Sequence, residues 1–126
     1  LIFNLKEYWV KKKIHTNYFS IYFGKNLTKE NNNKLNISFI MKKKVGNSVV
    51  RNKIKRRLRS AVRKNLKSKK LIDINYSYVV FGKPKAFVEK YSIISDEIDK
   101  TFFKINQIKV WNEICKFIFN FNNKIL

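Results

Sequence analysis

The stretch Lys43-Lys44-Val45-Gly46-Asn47-Ser48-Val49-Val50-Arg51-Asn52-Lys53-Ile54-Lys55-Arg56-Arg57-Leu58-Arg59 restricts the possible folds more than any other part of the chain. Gly46 can permit positive φ or a close backbone approach, and Asn47 or Ser48 can cap a helix. The apolar spacing predicts that helix from about Val49 to about Lys67. At ~100° per residue, Val50, Ile54, Leu58, Ala61 and Val62 fall within one stripe about 120° wide. Asn52, Arg56, Arg59 and Arg63 collect on the opposite side, with Lys53, Arg57 and Lys64 on one flank and Lys55 on the other. Cations at this density repel one another, so folding alone gives little reason to gather them. A polyanion gives a good one.

The 126 residues suffice for one domain with a modest core, and 44% hydrophobic content with 15% aromatics argues for a folded chain. Twenty-nine Lys and Arg against eight acids give a formal charge of +21, which predicts a phosphate-rich partner. Abundant Lys and Asn also fit an AT-rich coding sequence, but that bias does not explain arginines at 51, 56, 57, 59 and 63. A single cysteine, Cys115, excludes an internal disulfide, and with His15 as the only histidine there is no zinc quartet. No long uncharged apolar run predicts a membrane span, and Lys6, Glu7 and Lys11 to Lys13 break any signal-peptide core. A reducing cytoplasm is the expected location.

Along the chain, residues 1–14 read weakly as helix. Residues 18–23 alternate as a strand, with Phe19, Ile21 and Phe23 on one side and Tyr18, Ser20 and Tyr22 on the other. Gly24 to Lys34 reads as a polar loop joining antiparallel strands, and residues 36–43 as a second strand with Ile37, Phe39 and Met41 on one face. After the basic helix, residues 76–82 predict a further strand, closed by Gly82-Lys83-Pro84. A strand, a long helix and a strand form the pattern of a parallel crossover. Residues 91–105 and 106–126 each carry apolar residues at helical spacing.

The residues from 43 to 59 closely resemble the signature of the bacterial ribonuclease P protein subunit. The match consists of Lys44-Val45-Gly46-Asn47, then Ser48 where alanine is usual, Arg51, Asn52, Lys53 where arginine is common, Ile54, Lys55, Arg56 and Arg59. The resemblance implies an α+β fold, a small two-layer sandwich of helix, three strands, long basic helix, strand and helix. Its βαβ crossover would be left-handed, as in ribosomal protein S5 domain 2-like folds. Residues 1–105 would form that domain and 106–126 a C-terminal helical extension, packed on it or trailing. The family's enzyme removes the 5′ leader of precursor tRNA, with catalysis and Mg²⁺ in its RNA subunit. The resemblance thus implies no catalytic residue and no metal ligand in the protein, and no obligate protein partner. Lys43, Lys44, Arg51, Asn52, Lys53, Lys55, Arg56, Arg59 and Arg63 would bind RNA. Tyr18 and Tyr22 would line a cleft for the single-stranded leader, and Gly46 and Asn47 would form the structural turn.

The remaining residues agree in a negative sense. The eight acids are scattered, and Asp96-Glu97-Asp99 reads as helix-dipole compensation rather than as a metal cluster. His15 reads as an ordinary polar residue, Cys115 as core on an apolar stripe, and Trp9 and Trp111 as packing anchors. The C-terminal segment is expected to pack back on the domain rather than meet a membrane surface. Competing functions are a non-catalytic structured-RNA binder of ribosomal-protein type, and a self-contained nuclease, which would need clustered carboxylates.

Overall fold

Alternating apolar and polar residues build a four-stranded sheet, and two long helices cover one of its faces. A computed structural model of the chain describes residues 13–25 and 34–125, with side chains as far as residue 120. Strands β1 (Lys13–His15), β2 (Phe19–Lys25), β3 (Asn36–Ile40) and β4 (Tyr76–Gly82) lie in the order β1-β2-β4-β3. The helices are α1 (Ser48–Ser68), the short α2 (Lys85–Val88) and α3 (Tyr91–Ile125). Strand β2 runs antiparallel to β1 and β4, with Tyr22 opposite Lys13 and Val79. Strand β3 runs parallel to β4, with Ser38 beside Val79. Parallel neighbours need a crossover, and α1 is that connection.

The core forms where period-two strands meet period-3.6 helices. Phe19, Ile21 and Phe23 of β2 and Tyr78 and Val80 of β4 point into it. Ile54, Leu58, Ala61 and Val62 of α1 and Ile94, Ile98, Phe102 and Ile105 of α3 close over them. Tyr78 and Phe102 meet edge to face at 5.3 Å. Gly82 is required by proximity: a Cβ there would collide with Met41 Sδ and lie 2.7 Å from Ile54 Cγ2. Glycine lets α1 and the residue after β3 close on the end of β4.

Several expectations change. Lys13 and Ile14 are strand, not helix, because they pair with Tyr22 and Ile21; residues 1–12 of that expected helix lie outside the described residues. The second strand ends at Ile40 rather than 43, since Lys43–Val45 form a 3₁₀ turn with a bond from Val45 N–H to Lys42 O. Strands β2 and β3 point in opposite directions but are not neighbours, because β4 lies between them. The two C-terminal segments are one continuous helix, and the short α2 was unforeseen. Cys115, expected in the core, and Trp111, expected as a packing anchor, are exposed, as are residues 113–120.

Candidate nucleic-acid interface

The turn before α1 sets the direction in which its cations project. Gly46 has φ +158°, and a Cβ on it would lie 2.9 Å from Val50 Cγ1. The next residue, Asn47, caps the helix, its side-chain oxygen accepting from Val50 N–H at 3.0 Å. The cap satisfies a donor at the helix start. Ile54, Leu58, Ala61 and Val62 then anchor the helix, and Asn65 joins them, fully buried, donating to Asp99 Oδ1 at 2.5 Å. With this side fixed, the basic side faces outward.

Asn52, Lys55, Arg56 and Arg59 surround one concave patch with Val49 at its edge. Lys55, Arg59 and Arg63 also border a groove of about 500 Å³ between α1 and β3, floored by Leu35, Phe39 and Val62. The Arg59 guanidinium lies 5.8 Å from the Phe39 ring, so an apolar surface holds its stem while its charge stays accessible. Asn52, Arg56 and Arg63 are exposed, and Arg51, Lys55 and Arg59 are half-buried. The ion pairs among the described residues, Lys69–Asp99 and Lys109–Asp73, leave these cations out. Arg51 also carries a buried Nε with no partner among the described residues.

Two neighbours on the same helix behave differently. Arg57 turns toward α2 and donates to the carbonyls of Ala86 (2.6 Å), Phe87 (3.1 Å) and Glu89. Its guanidinium thereby satisfies the carbonyl end of a one-turn helix. Lys53 follows it, with Nζ 4.4 Å from the Phe87 ring.

The uncovered face of the sheet holds a second cationic surface, a cleft of about 460 Å³. Lys13, Lys42, Lys44 and Lys83 rim it, and Tyr22 and Phe81 lie within it, their rings edge to face at 5.3 Å. Lys13 Nζ is 5.0 Å from the Tyr22 ring and Lys42 Nζ 5.6 Å from that of Phe81. The His15 Nδ1 and Ser20 Oγ are 2.6 Å apart on the same surface. Partial burial, then the charges of Lys13 and Lys83, hold the His15 imidazole below its ordinary pKa, so it is neutral near pH 7. Lys43 is exposed in the adjoining 3₁₀ turn.

Tyr18 stands apart from this cleft. Its ring packs against the core and its hydroxyl donates to Glu89 Oε2 at 3.1 Å. The structure therefore gathers the α1 cations on one side and Tyr22 with Lys44 on another, and it separates Tyr18 from Tyr22. The sequence reading missed Lys13, Phe81 and Lys83 as cleft residues. Alternation along β4 could have found Phe81, which pairs with Ser20 on the same face as Tyr22. Among the described residues, no group of three or more His, Cys, Asp and Glu side chains could hold a metal ion. Nor is any described helix long and apolar enough to cross a membrane.

Comparison with known proteins agrees with this arrangement. The sequence model of the family described as Ribonuclease P matches residues 7–106. The "Ribonuclease P protein component" of Rickettsia canadensis is 35% identical over 98 residues, which are 74% of this chain and 82% of the relative. That of Citrifermentans bemidjiense is 38% identical over 96 residues, 75% of each chain. Among solved structures, the RNase P protein of Thermotoga maritima superposes with a TM-score of 0.58 at 21% identity, covering 79% of this chain and 89% of that one. For the Staphylococcus aureus RNase P protein the values are 0.54 and 25%, covering 84% and 93%.

Proposed function

This chain belongs to the ribonuclease P protein family, the protein component of a ribonucleoprotein endoribonuclease that processes tRNA 5′ ends, and from that premise we propose how its two cationic surfaces divide the work. The outer face of α1, from Arg51 to Arg63, docks on the RNA subunit. The observation that carries this reading is a helix pinned by four buried apolar residues whose opposite cations have no carboxylate partner among the described residues. Counterions held along the RNA are released as Lys55, Arg56, Arg59 and Arg63 approach it, which gives affinity with a steep salt dependence. Lys43, exposed in the 3₁₀ turn, extends this contact around the helix start.

The cleft on the open sheet face holds the single-stranded 5′ leader of precursor tRNA. Tyr22 and Phe81 offer π surfaces for stacking, worth ~1–3 kcal/mol per base, and the four lysines track the backbone phosphates. Stacking and charge read no base edges, so sequence preference is weak. Tyr18 is left out of this role, because its hydroxyl is committed to Glu89. The protein supplies position and charge, while the Mg²⁺ ions that hydrolyse the phosphodiester are held by the RNA. The same reading puts the protein in the cytoplasm, with precursor tRNA.

Reconstitution tests it. Adding the protein to a bacterial ribonuclease P RNA at low Mg²⁺ restores leader cleavage, and a matched substrate without a leader gains less affinity. Unchanged cleavage, with tight binding to some other structured RNA, would overturn the proposal.

A further inference from the structure

Helix α3 changes its apolar side partway along. In its first part Ile94, Ile98, Phe102 and Ile105 face the core, all fully buried. At ~100° per residue, Val110, Ile114 and Phe117 then fall on roughly the opposite side, in line with Phe103. Trp111 and Ile118 lie beside them, and all six are between 45% and 72% exposed. The helix cannot turn this side toward its own sheet without pulling Phe102 and Ile105 out of the core. Leu71, from the loop after α1, joins Phe103, Val110 and Ile114 around a groove of about 380 Å³ that would accept an inserted side chain.

Spacing and charge narrow the choice of occupant. Positions 103, 107, 110, 114 and 117 alternate steps of four and three, the pattern of a helix seam built for another helix. Residues 110–120 contain one acid, Glu113, and one base, Lys116, so this segment is formally neutral in a chain of +21. The seam residues Phe103, Gln107, Val110, Ile114 and Phe117 carry no charge themselves, so the seam has no charge complementarity to RNA or to an anionic membrane. A second copy of this chain supplies a matching seam, and a two-fold axis closes the pair. The exposed part of the six side chains amounts to roughly 600 Å² per copy at 150–250 Å² for a full aromatic, approaching the ~800 Å² per partner of a standard interface.

We propose that this chain forms a two-fold dimer through the outward face of α3, from Phe103 to Ile118. The face lies almost wholly beyond residue 106, where the family match ends, so the dimer belongs to this chain's own extension. The inference does not depend on how RNA is bound.

Sedimentation equilibrium of the full chain, over a micromolar concentration series in salt sufficient to screen its charge, tests it. The weight-average mass rises from 15.2 kDa toward twice that value and stops there. Ile114→Asp and the milder Ile114→Gln both lower the association constant at least tenfold, with unchanged circular dichroism. At concentrations where the parent is monomeric the melting temperature is also unchanged, because the side chain they replace is exposed in the single chain. A mass that stays at one chain, growth past two, or variants that associate like the parent would each overturn the dimer. Flotation of the monomer with anionic vesicles would also do so, by assigning the face to a membrane.

Discussion

Arg56 and Arg57 are adjacent and chemically identical, yet one faces solvent and the other holds three carbonyls. Arg56→Ala should leave the melting temperature unchanged and weaken binding to the RNA subunit. Arg57→Ala strands the carbonyls at the end of α2 and should cost about 2–4 kcal/mol in chemical denaturation. Equal losses of stability would contradict the assigned faces. A 100° turn separates the two side chains, and only the position of α2 tells them apart. Tyr18 and Tyr22 pose the same problem, for both suit a strand, and a distant Glu89 removes Tyr18 from the cleft. His15 adds a pH dependence to the cleft. Free, its imidazole is held below the ordinary value of 6.5; a leader phosphate beside it would raise that pKa, so binding takes up a proton. Leader affinity should therefore increase as pH falls through and below 6.5, by up to about tenfold per unit of pKa change. Titration of leader-dependent affinity in the holoenzyme checks this, and a His15→Asn protein with the same pH profile would refute it.

At the scale of elements, α1 was the most legible, its sequence-predicted ends lying within one residue of those observed. Twenty-one residues average out local ambiguity, and the Asn47 cap marks the start. Strand β1 has three residues and α2 four, too few for a period to show. Leu58→Ala, in the fully buried seam, should destabilise the domain by about 2–5 kcal/mol. Gly82→Ala should destabilise it comparably although it adds only a methyl group, because Met41 and Ile54 occupy that space. Urea denaturation of the two variants compares these costs directly, and a near-neutral Gly82→Ala would mean that α1 can shift away from β4. On α3, Lys109 ties the helix to the domain. Its Nζ lies 3.0 Å from Tyr78 Oη and 3.8 Å from the Tyr76 ring, with Asp73 at 3.7 Å. Beyond it the helix leaves the sheet behind.

Across the whole molecule, two cationic surfaces serve one nucleic-acid complex, and salt reports on both. Removing Arg56 and Arg59 together should lower the slope of log affinity against log salt by roughly two, about one for each phosphate that is no longer neutralised. Measuring that slope with the RNA subunit alone isolates α1 from the cleft; an unchanged slope would remove α1 from the interface. Amino-acid order by itself determined the cationic helix, its buried seam and the alternation of β2 and β4, because each depends on residues near in sequence with a definite period. The choice of Asn47 over Ser48 as the cap came from the structure. Tertiary structure alone decided that β4 inserts between β2 and β3, that Arg57 turns inward, that Lys13, Lys44 and Lys83 meet around Tyr22, and that α3 presents Ile114 outward. Those outcomes depend on contacts between residues far apart in the chain, where periodicity carries no information and packing chooses among surfaces that the sequence leaves equivalent.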